Sequence, residues 1–251
     1  MKHPLLAAFF SASILFAAPQ AQAIIGLEPS DTYFIDAAVK ANIERNKQYL
    51  KELQRQNGNV VSNKSAKQST TKKGVHKYSH SNSTTREVNE KMFAALAQQL
   101  KNKGSYNNQS KQQLTALKNA NLVNQVRQAL KSDGYDISSI ATATAYLITI
   151  SYGIANNQDL SQLKAHELVR QLQAAMEEDS TMQSLSNTDK QKMADTLYWI
   201  GSLEMAMYME ANKNNDSQAL NTIANDARSI LAMLGVSGNQ IVLGRNGLKI
   251  R

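Results

Sequence analysis

A single carboxylic acid within an apolar stretch is the residue best placed for chemistry in this sequence. Glu204 is the only charged side chain between Asp195 and Glu210, in a run rich in aromatic, leucine and methionine residues. If it faces a core, desolvation raises the pKa of its carboxyl group, which suits general acid catalysis. Glu204 is therefore a candidate acid for a cell-envelope hydrolase, although no second acidic partner is evident from spacing. The alternative is structural, with Glu204 paired to a buried Arg127, to Arg170 or to a tyrosine.

Three histidines follow the first 23 residues, and none has the context of a strong metal site. His76 and His80 have the spacing of a metal-binding pair, but no carboxylate lies near them in the sequence. His166 begins a helix motif of zinc proteases, but Arg170 stands where the second histidine must be. We expect at most adventitious metal binding at His76 and His80. The chain has no cysteine and no glycine-rich phosphate loop, so the sequence predicts no cofactor.

The first 23 residues have the three parts of a secretory signal peptide. A basic start precedes the apolar run 5–18, and Ala21-Gln22-Ala23 has the small-x-small pattern that signal peptidase accepts. The apolar run is short for a membrane span. We therefore expect cleavage near Ala23 and a periplasmic or secreted protein beginning near Ile24. An uncleaved N-terminal anchor is the alternative.

Positive charge is concentrated in one polar segment, residues 57–86. The formal net charge of the chain is +8, and this segment has six basic and no acidic side chains. The six are Lys64, Lys67, Lys72, Lys73, Lys77 and Arg86. Its few apolar residues bury too little surface to offset the entropy of ordering, so the sequence predicts a disordered basic tether. The remainder is close to neutral, which does not favour a specific nucleic-acid-binding fold. The tether itself could make weak, salt-sensitive contact with an anionic surface.

A short N-terminal element, residues 24–56, precedes the tether. A helix-start signal at Ser30 is followed by a stripe at spacings of three and four, formed by Val39, Ile43, Asn46, Leu50 and Leu53. A lone helix of this length is marginal in water. We therefore expect residues 31–54 to dock on another surface, and another envelope protein is the expected partner.

Residues 87–251 have the pattern of an all-α domain of about six helices. Capping boxes, aspartate N-caps and glycines at helix ends divide the segment. The predicted helices are 87–102, 111–131, 137–155, 160–178, 188–213 and 217–234. Residues 137–156 carry no charge and Leu197–Met209 leave little polar face, so we expect both stretches to be buried. Asn246-Gly247 between two short apolar runs predicts a small C-terminal β-hairpin.

Several motifs of the helical segment occur together in a known family. Residues 189–194 lead into the aromatic helix, Tyr208-Met-Glu-Ala211 follows, the next helix ends at Leu234-Gly235-Val236, and Gly247-Leu248 closes the pattern. In these motifs, and in the uncharged helix after Gly134-Tyr-Asp136, residues 87–251 resemble a bacterial family of exported helical proteins catalogued as a domain of unknown function. The resemblance implies an all-helical fold behind a variable, low-complexity N-terminal region. It implies no activity and no catalytic residues, and the tether and N-terminal helix lie outside it.

Three functional hypotheses follow from the sequence. The first is an exported, non-enzymatic helical scaffold or protein-binding module that docks through residues 31–54. The second is a cell-envelope hydrolase that uses Glu204. The third is a protein that associates with polyanions or membrane surfaces through its basic tether.

Overall fold

Helices form most of the fold. The computed structural model describes residues 74–236, 238–244 and 247–250. The helices are α1 (Asn82–Asn102), α2 (Asn108–Ala120), α3 (Leu122–Ser132), α4 (Ile140–Ala155), α5 (His166–Glu178), α6 (Ser180–Ser184), α7 (Asn187–Lys213) and α8 (Ser217–Met233). The strands are β1 (Ile241–Gly244) and β2 (Gly247–Ile250). The prediction of an all-α domain with a small C-terminal hairpin is confirmed. The predicted signal peptide, the N-terminal helix and the tether up to residue 73 lie outside the described residues.

The two helices that the sequence marks as apolar form the centre of the bundle. Fifteen of the sixteen residues of α4 are buried. It lies beside α7 and runs in the same direction, since contacts join Tyr146 to Ser202 and Ser151 to Glu204. The antiparallel α8 packs against both helices, while α1 and α3 pack on α7, and α5 packs on α4. The predicted burial of both stretches is confirmed. Within the described residues, no helix has the length and hydropathy to cross a membrane.

Two of the predicted helices are divided, and the prediction of single helices is wrong there. Asn121 has left-handed backbone angles (φ 50, ψ 49) and separates α2 from α3 within the predicted helix 111–131. Asparagine reaches this conformation more readily than most residues, so the helix ends without a glycine. In the predicted helix 160–178, Leu160–Gln162 form only a 3-10 turn and Leu163 is extended. Helix α5 therefore begins six residues later than expected, at His166.

The C-terminal boundary of the predicted tether is also wrong, because residues 74–86 are ordered. Residues 74–81, which we call the strap, lie on the bundle with Val75, His76 and Tyr78 buried. The strap pairs through an antiparallel bridge between Lys77 and Ser139, and α1 begins directly after it. Burial against helices that are distant in the sequence offsets the entropy of ordering these residues. The composition of residues 74–86 does not show which distant helices they will pack against, so their order was not predictable from that segment.

The terminal hairpin packs its second strand on α5. Residues 241 to 244 of β1 pair with residues 250 to 247 of β2 in antiparallel register. The amide of Gln171 bonds both backbone groups of Ile250, and Leu248 N–H donates to the carbonyl oxygen of Lys164. These contacts satisfy the edge of β2 that faces away from β1.

Replacing Gly247 by alanine is expected to lower the free energy of unfolding by at least about 2 kcal/mol. Gly247 has φ +103, and a Cβ there would meet the backbone carbonyl of Lys164, which cannot turn aside as a side chain would. Gly104 is the matched control, since it also has positive φ (+69) but open space around the Cβ position. Gly104→Ala is expected to cost about 1 kcal/mol. Chemical denaturation measures both variants, and equal losses would contradict the packing argument.

Candidate functional site

Glu204 lies at the contact of α4, α7 and α8 and is fully buried. The Ser151 hydroxyl donates to Glu204 Oε2 at 2.7 Å, and Glu204 Oε1 has no hydrogen-bond partner among the described residues. Burial raises the pKa of Glu204 to about 8; the Ser151 hydrogen bond opposes this shift, and the nearby Asp226 carboxyl adds to it. Glu204 is therefore a protonated carboxylic acid at neutral pH.

Neither of the two arginines considered for Glu204 pairs with it, so the prediction of an arginine partner is wrong, and the hydrogen bond to Glu204 comes from Ser151 instead of a tyrosine. Arg127 pairs with Asp195 at 2.6 Å, and Arg170 forms an exposed pair with Glu167 at 2.7 Å. No ion pair with Glu204 occurs within the described part of the chain. The carboxyl group is kept neutral by burial instead of being matched by a cation.

The geometry of Glu204 does not offer a substrate site in this conformation. A general acid must come within hydrogen-bond distance of the group that it protonates, and Glu204 has 0% exposure. A small cavity of about 30 Å³ opens nearby between α3, α4 and α5, but its lining includes Tyr146 and Thr142 and not Glu204. Catalysis at Glu204 would require α4, α7 and α8 to separate.

A second buried cluster, which we call the arginine cluster, contains Tyr78, Thr85, Arg127, Gln191 and Asp195. Arg127 Nη2 donates to Asp195 Oδ1 at 2.6 Å and to the Tyr78 hydroxyl oxygen at 3.0 Å. Thr85 and Gln191 donate to the other carboxylate oxygen at 2.8 and 3.3 Å. Burial raises the pKa of the Asp195 carboxyl above its usual value, and the charge of Arg127 opposes this shift. The cluster is a charged pair whose carboxylate is saturated with donors.

The arginine cluster joins four parts of the fold at one point. Tyr78 comes from the strap, Thr85 from α1, Arg127 from α3 and Asp195 from α7. Gln191 extends the contact because its amide bonds both Ser81 N–H and Ser81 C=O of the strap, at 2.8 and 2.7 Å. These bonds are directed and mutually supporting, so the cluster fixes how the strap enters the bundle.

A third cluster brings together a serine, a histidine and a carboxylate. His76 Nδ1 lies 2.9 Å from Ser139 Oγ, and His76 Nε2 lies 3.8 Å from Glu177 Oε1. Burial lowers the pKa of His76, partly opposed by Glu177, and so favours the neutral imidazole. Serine, histidine and carboxylate are also the residue types that act together as nucleophile, base and acid in some hydrolases.

The position of Ser139 favours a structural role for this third cluster. Ser139 has 0% exposure, and its Oγ accepts the N–H of Thr142 as the N-cap of α4. The backbone N–H of Gly74 also donates to Glu177 at 2.9 Å, so the cluster holds the start of the strap. A nucleophilic hydroxyl needs an approach for its electrophile, and the strap itself covers this one.

The two histidines considered for a metal are placed apart. His76 belongs to the buried cluster with Ser139, whereas His80 Nε2 contacts Thr85 Oγ1 at 3.1 Å. His166 stacks on the ring of Tyr135 with centroids 4.2 Å apart. Within the described ranges, no three histidine, aspartate or glutamate side chains are grouped so that they could hold a metal ion.

Two of the six basic residues assigned to the tether belong to the ordered domain. Lys77 forms an exposed ion pair with Asp136 at 3.0 Å, and Arg86 is exposed on the first turns of α1. Lys64, Lys67, Lys72 and Lys73 lie outside the described residues.

Ser139 and Asp195 organise the two clusters at the strap, and neither is among the site residues that the sequence predicts. A signal for Asp195 was present, because it stands four residues after Gln191 and directly before the most apolar stretch of the chain. That spacing places both side chains on one face of a helix. No comparable signal marks Ser139, since the uncharged helix contains many serines and threonines.

A family model described as a family of unknown function (DUF6683) matches residues 3–251. The chain belongs to this family, and the resemblance expected from its helical segment is confirmed for an uncharacterised domain. The match also covers residues 3–86, so the expectation that the tether and N-terminal helix lie outside the family is wrong. Comparison with curated proteins and with solved structures finds no match in either set.

Proposed function

We propose that this chain, as a member of that family, is an exported, non-enzymatic binding module whose helical domain anchors an N-terminal docking segment. Signal-peptide cleavage near Ala23 leaves residues 31–54 as the segment that binds another envelope protein. The helical domain holds this segment at a defined point.

The observation that carries the proposal is the attachment of the strap. Gly74, Ser79 and Ser81 each bond a side chain of the bundle through backbone N–H groups, and Tyr78 is held by Arg127. The chain that precedes residue 74 therefore leaves the domain from a fixed place. A strap that only linked two independent parts would need none of these contacts.

The polar clusters support binding over catalysis. Glu204 and Ser139, the two side chains with suitable chemistry, are both fully buried. Their neighbours are side chains of the same fold, which gives each a structural role. Residues 31–54, in contrast, have an apolar stripe on a predicted helix that is marginal in water by itself, so this stripe requires a partner surface.

Cross-linking in cells followed by mass spectrometry tests the proposal on the full chain. We expect one specific envelope partner cross-linked to residues 31–54, and a purified protein that begins at Ile24. Ile43→Asn with Leu50→Asn interrupts the apolar stripe and is expected to lower the cross-link yield at least about tenfold, because each buried aliphatic side chain that is lost costs about 1.5–3 kcal/mol of binding free energy.

The matched control is Arg45→Asn with Gln48→Asn, which changes the opposite face of the same predicted helix. This control is expected to retain the cross-link. Equal loss in both variants, or no partner with the unaltered chain, would overturn the proposal.

A further inference from the structure

Charge is distributed unevenly along the folded domain, although its net charge is close to zero. Residues 91–132 contain seven basic and no acidic side chains, whereas residues 133–251 contain nine basic and thirteen acidic ones. The first stretch comprises the second half of α1 and all of α2 and α3. Positive charge is thus gathered on these three helices, in addition to the basic residues of the segment 57–86.

Two of the exposed lysines of this stretch lie beside one aromatic ring at the turn between α1 and α2. The ammonium groups of Lys101 and Lys111 lie 5.0 and 5.3 Å from the centroid of Tyr106. Lys118 follows on the same face of α2, about 10 Å further along the helix axis. All three lysines are exposed and Tyr106 is half-buried. We call these four residues the basic corner.

No carboxylate of the described residues pairs with Lys101, Lys111 or Lys118. Elsewhere on the domain, by contrast, Lys77 is paired with Asp136 and Lys192 with Glu87. The packing of α2 is mainly against α1, whose second half is also free of acidic residues. The positive potential of the corner is therefore not cancelled locally.

We propose that the basic corner binds the phosphate headgroups of an anionic membrane surface. The three exposed lysines follow one another at intervals of about 10 Å or less, which lets each ammonium group reach a different headgroup of a planar array. An aromatic ring flanked by lysines is typical of side chains at a lipid interface. This surface is separate from the docking segment and does not depend on the proposed function.

Nucleic acid fits the basic corner less well. Proteins that bind single strands stack bases on aromatic rings, whereas the ammonium groups of Lys101 and Lys111 already lie over the Tyr106 ring and would compete with a base for it. Arg127, the one arginine in residues 91–132, is buried and paired with Asp195, so no planar guanidinium fork is exposed there.

Vesicle sedimentation with the full mature chain tests the proposal. Vesicles of phosphatidylcholine alone are compared with vesicles of equal parts phosphatidylcholine and phosphatidylglycerol. We expect binding only to the second, with affinity falling as salt is raised. The triple variant Lys101→Gln, Lys111→Gln, Lys118→Gln is expected to weaken binding by about 100-fold, since each lysine near the surface contributes roughly fivefold.

A second triple variant distinguishes binding through the basic corner from binding through the net positive charge of the chain. Lys164→Gln, Lys213→Gln, Lys249→Gln removes the same charge from exposed positions elsewhere and leaves the tether unchanged. Its binding is expected to fall by less than about fivefold. Circular dichroism checks that both variants are folded.

Three outcomes would overturn the proposal. They are no binding of the unaltered chain to anionic vesicles at low salt, equal losses in the two triple variants, and binding to duplex DNA or RNA in place of vesicles. None of these outcomes bears on cross-linking through residues 31–54, so this proposal and the proposed function can fail separately.

Discussion

Arg127→Met is expected to lower the free energy of unfolding by about 3–5 kcal/mol, because it leaves the Asp195 carboxyl group buried without its cation. Asp195 has 0% exposure, and Arg127 Nη2 is its closest donor, at 2.6 Å. The same substitution removes the donor to the Tyr78 hydroxyl oxygen of the strap. Equilibrium denaturation in urea measures the loss.

The double variant Arg127→Met with Asp195→Leu distinguishes an unpaired charge from lost packing. Replacing both partners by apolar groups removes the desolvation cost, so we expect it to recover at least half of the loss. The control is Arg170→Met, which breaks the exposed pair with Glu167 and is expected to change the free energy by less than about 0.5 kcal/mol. Strictly additive losses in the double variant would contradict the explanation.

The unaltered protein is expected to lose stability as the pH rises, and Glu204→Gln is expected to abolish this loss. The pKa of Glu204 is raised in the folded state to about 8 from its usual 4.5. A carboxyl group with a raised folded pKa contributes stability that is fully present below pH 4.5 and is lost as the pH rises towards 8. The shift corresponds to a difference on the order of 3–5 kcal/mol between the two ends of this range.

The measurement is the free energy of unfolding of both proteins at several values between about pH 5 and pH 8. We expect similar stability at the acidic end and a more stable Gln variant at the alkaline end, since Gln retains an acceptor for Ser151 and carries no charge. Asp195, which belongs to the separate arginine cluster, affects both proteins alike and cancels in the difference. Glu90→Gln, at an exposed position of α1, is the control that should leave the pH profile unchanged. Parallel profiles for the Glu204 variant and the unaltered protein would contradict the assignment.

The parts of the fold that the sequence predicts well are those fixed by local patterns. The uncharged residues 137–156 and the aromatic stretch Leu197–Met209 must be buried wherever they lie, because no face of either is polar. Asn246-Gly247 between apolar runs gives the hairpin, and Gly134 and Gly235 end helices with positive φ. Asn121 ends a helix in the same way but is a weaker signal, so the division between α2 and α3 was not predicted.

The strap was missed because its order depends on distant residues. Val75 and Tyr78 are isolated apolar side chains in a polar run, and nothing within that run explains their burial. Tyr78 is held by Arg127 and by the Ile137 carbonyl oxygen, 49 and 59 residues away in the chain. The same limit applies to the candidate site. The apolar neighbours of Glu204 predict its burial. However, the chain has two buried acids that could pair with Arg127, and local spacing does not show that its partner is Asp195.

The attachment of the strap determines how the domain would respond to tension on its N-terminal chain. Tyr78 N–H bonds Ser138 C=O and Ile140 N–H bonds His76 C=O, both at 3.0 Å. These two antiparallel bonds lie side by side, and the arginine cluster follows them along the chain. A pull directed along the strap would load both bonds together in shear, whereas a pull away from the bundle would open them one after the other. The mechanical resistance of the domain therefore depends on the direction in which its N-terminal chain is pulled.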